Sequence, residues 1–160
     1  MVTLTSVLEA SRASRSQFND WMGYARRPKI LETKFNPTEP GTARALTIEN
    51  AIEIGFVAAL IRAGVAASKA VELSSAWRAE LKAKKLAPFF ALNPVTLEGL
   101  SFSDGTMGFS DLKTALATDI AGGFGDDDYS DDEPAIQINI IDRARIVQQM
   151  ERLAKENGDA

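Results

Sequence analysis

Arg15, Ser16 and Asn19 lie close together in the segment 14–24, with Arg15 and Asn19 four residues apart. Arginine presents a two-pronged donor that matches the guanine edge, and asparagine pairs bidentately with adenine, both in the DNA major groove. In a helix, positions i and i+4 emerge from the same face. Ser16 between them adds a hydroxyl that can read a base edge. The chemistry such a set performs is base readout. A second set, Arg12, Arg26, Arg27, Lys29, Lys34 and Arg44, is cationic and dispersed. Phosphate contacts need positive charge more than fixed geometry, so these residues are candidates for the DNA backbone.

These side chains need elements to hold them. Leu4, Val7 and Leu8 fall at helical spacing, which predicts a helix over residues 5–10 started by Thr3 or Thr5. Ser11, Arg12 and Ala13 make a tight turn, and Ser14 caps a second helix reaching residue 24. There Phe18, Trp21 and Met22 share the inner face, opposite Arg15, Ser16, Asn19 and Asp20. Two short helices across such a turn form a helix–turn–helix, whose second helix enters the major groove. Pro28 stops that helix. Short alternating fragments with Pro37 and Pro40-Gly41 then predict a β-hairpin wing over residues 30–46.

Thr47 caps a third helix over residues 48–63, with Asn50 where a capping box would place Glu or Gln. Ile48, Ile52, Gly55, Phe56, Ala59, Leu60 and Ala63 form its apolar stripe, and Gly64 ends it. A fourth helix over 66–85 buries Ala70, Leu73, Trp77 and Leu81 and ends in Lys82, Lys84 and Lys85. The pattern changes at Pro88, which predicts two domains, 1–85 and 86–160. The second reads as a small α+β unit. Its expected parts are a strand at 89–92, a hairpin around Asp104-Gly105 and a helix over 110–120. A strand with alternating Ile136, Ile138 and Ile140 follows, then a last helix capped by Asp142. Between them lies an acidic loop, 126–133, without the glycine and closing glutamate of a calcium-binding EF-hand loop. A unit this small favours dimerisation through a sheet edge or the last helix.

Composition bounds the function. The chain contains no histidine and no cysteine, which removes the commonest general base, the strongest nucleophile and thiolate metal sites. A non-enzymatic protein without metal or cofactor is expected. No secretory signal or membrane-spanning apolar run is apparent, so the expected location is the cytoplasm. The net charge of −4 conceals an asymmetry. Residues 1–85 hold 13 Lys+Arg against 8 Asp+Glu, whereas residues 86–160 hold 5 against 14. The basic half is the one carrying the candidate DNA contacts.

Residues 3–77 resemble the winged-helix DNA-binding domain of MerR-type regulators. The resemblance rests on the helix–turn–helix ending in Trp21, the wing end Gly41-Thr42-Ala43-Arg44-Ala45-Leu46-Thr47, the long helix to Ala63, the break at Gly64 and the helix containing Ala70. It implies a homodimer that binds double-stranded DNA, with the second helix in the major groove and the wing on the backbone. Typical members continue into a long dimerising helix and often carry a cysteine-bearing effector pocket. This chain instead continues into predicted strands and lacks cysteine. The expectation is therefore a winged helix–turn–helix joined to an unrelated C-terminal module, acting as a sequence-specific transcriptional regulator. Two alternatives are an architectural, excisionase-like or packaging-adaptor DNA-binding protein, and a protein-interaction module that does not bind DNA.

Overall fold

The computed structural model describes residues 2–25, 45–92, 99–102 and 139–156. In chain order the elements are β1 (Val2–Thr3), α1 (Leu4–Ala10), α2 (Arg15–Ala25), β2 (Ala45–Leu46), α3 (Ile48–Arg62), α4 (Ala67–Lys82), β3 (Phe89–Leu92), β4 (Gly99–Phe102), β5 (Asn139–Asp142) and α5 (Arg143–Glu156). The fold is a mixture of helices and small antiparallel sheets.

Local chemistry accounts for most boundaries. Thr3 caps α1, its Oγ1 accepting from the Ser6 amide at 3.3 Å. Ser14 and Gln17 form a reciprocal capping box at the start of α2. Ser14 Oγ accepts from the Gln17 amide at 3.1 Å, and Gln17 Oε1 accepts from the Ser14 amide at 2.8 Å. Thr47 caps α3 through the Asn50 amide at 3.2 Å. Asp142 caps α5 through the Arg145 amide at 2.8 Å, as its position predicts. Helix α3 ends at Gly64 with φ 92°, and the Gly64 and Val65 amides return to the Ile61 and Leu60 carbonyls. That pattern is a Schellman motif.

Ala45–Leu46 pairs with Val2–Thr3, so β2 closes against the chain start, a partner the periodicity did not reveal. Of the strand predicted through Ile136, Ile138 and Ile140, residues 139–140 are strand, which runs on to Asp142 and straight into α5, while residues 136–138 lie outside the described residues. In the larger sheet β3 is central, antiparallel to both β4 and β5. The predicted Asp104-Gly105 hairpin, the helix over 110–120, the acidic loop 126–133 and most of the wing lie outside the described residues.

Helix α3 departs most from its sequence pattern. A one-sided stripe was expected, yet every residue from Ala51 to Leu60 is buried. The reason is tertiary: α3 packs against α1, α4 and α5 at once. Its one internal charge, Glu53, is only 3% exposed and meets Arg78 Nη1 of α4 at 2.6 Å. Gly55 permits a close contact between α3 and α5. A Cβ there would stand 2.8 Å from Ile146 Cγ2 of α5.

The buried residues on either side of position 86 belong to one cluster, with Phe18, Phe56, Leu60 and Trp77 joined by Phe90, Leu92, Ile141 and Met150. The apolar side of α5 is taken up in this packing, with Met150 buried and Ile146, Val147, Leu153 and Ala154 against the cluster. Arg143, at the start of α5, is fully buried as well. Its guanidinium lies 4.8 Å from the Trp77 ring centroid and 5.4 Å from that of Phe90, and its Nη2 donates to the Phe89 carbonyl at 3.2 Å. Stacking on two aromatic faces offsets part of the desolvation of this charge.

Candidate nucleic-acid interface

Helix α2 carries the predicted base-reading set. Phe18 and Trp21 are buried and Met22 half-buried, which fixes the rotation of the helix on its neighbours, chiefly α4. Arg15, Ser16, Asn19 and Asp20 are all exposed on the other side. The capping box orders the first turn of α2, and that turn carries Arg15 and Ser16. An exposed polar face with an ordered first turn has the form a recognition helix requires.

The turn before α2 is held with unusual completeness. A helix C-terminus leaves four carbonyls without helical partners. At the end of α1, the Glu9 and Leu8 carbonyls accept from the Arg12 and Ala13 amides at 3.0 and 2.9 Å. Arg12 occupies the left-handed region, φ 53°, to make this possible. The Ala10 carbonyl accepts from Gln149 Nε2 of α5 at 3.1 Å. The Ser11 carbonyl accepts from Arg62 Nη1, at the end of α3. Two distant side chains thus close the account of α1 and clamp the turn between the two helices.

A cleft of about 560 Å³ lies beside the turn. Arg12, Arg62, Arg145, Arg152, Gln148 and Gln149 line it. Burial, together with the Arg12 charge, pushes the Arg62 guanidinium below its ordinary value. Of the cations assigned to phosphates by sequence, Arg12 is in this cleft. Arg26, Arg27, Lys29, Lys34 and Arg44 lie outside the described residues. Arg62, Arg145 and Arg152 were not anticipated. A signal existed for two of them, since residues 145, 148, 149 and 152 recur at helical spacing and make one polar face of α5. Nothing local in the sequence connects that face to Arg12 or Arg62.

No family model, curated protein or solved structure gives a significant match to this chain.

Proposed function

We propose that the protein is a non-enzymatic, sequence-specific DNA-binding regulator of MerR-like type, acting as a homodimer. The observation carrying this reading is the exposed Arg15, Ser16 and Asn19 face of α2, presented by a helix whose turn is clamped from α3 and α5. In this reading Arg15, Ser16 and Asn19 meet base edges. Arg12, Arg26, Arg27, Lys29, Lys34 and Arg44 supply backbone contacts. The clamp matters because base readout requires the helix to keep a fixed angle to the groove. Among the described residues no helix is long and apolar enough to cross a membrane.

The test is selection of bound sequences from a random duplex pool at about 150 mM salt, near physiological ionic strength. A palindromic consensus, relaxed at one position by Arg15→Ala at a loss of about 1–3 kcal/mol, supports the reading. Binding without sequence enrichment would favour an architectural role. Absence of duplex binding at low salt would remove DNA from the function altogether and leave a protein-interaction module.

A further inference from the structure

Four arginines line the cleft beside the helix–turn–helix turn, drawn from three separate parts of the chain. Arg12 comes from the turn, Arg62 from the end of α3, and Arg145 with Arg152, two helical turns apart, from α5. Among the described residues that line the cleft there is no carboxylate. Arg152 has Glu156 at 3.7 Å, but both side chains are mostly exposed and such a pair neutralises little. Arg62 donates to the Ser11 carbonyl, a neutral acceptor that leaves its charge uncompensated. Arg12 and Arg145 form no ion pair among the described residues. Like charges held together without counter-charge are an electrostatic cost that a bound anion would relieve. The Arg62 guanidinium is lowered first by its burial and then by the charge of Arg12 beside it.

We propose that this cleft binds a multiply charged phosphate-bearing anion. Arginine forks match phosphate oxygens bidentately, and several of them suit a ligand with more than one negative charge. A cleft of about 560 Å³ falls within the range of small-ligand sites. Arg12 and Arg145 provide the uncommitted forks, Arg62 a fixed charge anchored on Ser11, and Gln148 an amide for an ester or sugar oxygen. The phosphates come either from a free nucleotide-like di- or triphosphate or from a nucleic-acid backbone passing the turn. The site shares Arg12 with the DNA-binding reading but does not require α2 to read bases. An anion here would join α5 to the turn that sets the angle of α2.

The experiment is calorimetric titration of the full chain with inorganic pyrophosphate and with ATP, beside duplex binding over a salt series. The variants are the Arg145→Gln/Arg152→Gln double substitution and, as comparison, Arg15→Ala/Asn19→Ala. Both α5 arginines are surface residues whose side chains contribute little to the core, and circular dichroism checks that the variants fold. If pyrophosphate or ATP binds and the α5 variant weakens it at least tenfold while the α2 variant does not, the ligand is a free phosphate. That outcome stands even if no duplex is bound. If only duplex binds, the α5 variant should weaken it for all sequences and lower the salt slope by about 2, roughly 0.9 per lost phosphate contact. The proposal is overturned if the α5 variant leaves every binding curve unchanged, or if none of the three probes binds the wild-type chain.

Discussion

Gln149 Nε2 donates to the Ala10 carbonyl across 139 residues of sequence, at 3.1 Å. The last helix thereby finishes the first. Removing the donor leaves a partly buried carbonyl unpaired, a loss of roughly 1–3 kcal/mol. Gln149→Ala should lower stability by about that amount in urea unfolding. It should also speed amide exchange at Arg12 and Ala13 more than at Ala51 or Leu60. Equal acceleration at all four amides would mean that the contact stabilises the fold as a whole and does not hold the turn.

Gly55 of α3 faces Ile146 and Met150 of α5. An added methyl meets Ile146 Cγ2 at 2.8 Å, and that methyl belongs to a β-branched side chain packed on the core. Overpacking of this kind costs about 1–3 kcal/mol, against a helix-propensity gain of about 1 kcal/mol. Gly55→Ala should therefore be destabilising in the wild-type background. In an Ile146→Ala background the clash is gone and the same change should stabilise. A double-mutant cycle by chemical denaturation measures the coupling, and additive effects would contradict the packing described.

Lys84 closes α4 in the left-handed region, φ 56°, with the Lys84 and Lys85 amides on the Leu81 and Glu80 carbonyls. The position is exposed, so backbone conformation dominates its energetics. Lys84→Gly should raise stability by about 0.5–1 kcal/mol, or a few degrees in Tm. Lys84→Val should lower it.

Arg143 is a buried cation whose value lies in packing as well as charge. Among the described residues its Nε has no hydrogen-bond partner, and Nη1 reaches Glu80 at 3.7 Å. Burial pushes this guanidinium below its ordinary value, with the Glu80 charge opposing that shift. A volume-matched apolar side chain should serve nearly as well between Trp77 and Phe90. Arg143→Met is expected to cost less than about 1.5 kcal/mol and Arg143→Ala about 2–5 kcal/mol, read from urea midpoints. Equal losses would show the charge, not the volume, to be what matters.

Glu49 lies in the first turn of α3, where its own backbone amide and then the Thr47 hydroxyl hold its carboxylate below the ordinary value of 4.5. A depressed folded-state pKa adds stability that is present above the unfolded value and lost as pH falls through the folded one. The contribution of Glu49 should thus be intact at neutral pH and disappear on acidification below about 4.5. Because the group is partly exposed, the effect is on the order of 0.5 kcal/mol. Glu49→Gln should flatten the acid limb of the stability profile by that amount and leave the alkaline limb unchanged.

What was legible in the sequence is what depends on neighbours within a few residues. The caps Thr3, Ser14, Thr47 and Asp142, the stop at Gly64 and the inward face of Phe18 and Trp21 all follow from local hydrogen bonding and helical period. The exposure of Arg15, Ser16 and Asn19 follows from the same period. The tertiary structure decided what depends on distant residues. It buried α3 on every side, covered the apolar stripe of α5 within the chain, and paired β2 with the start of the chain. It also drew Arg62, Arg145 and Arg152 around Arg12, although α5 belongs to the acidic half of the sequence. Periodicity tells which side of a helix is apolar. It carries no information about which other helix will cover that side, or which charges will meet when it does.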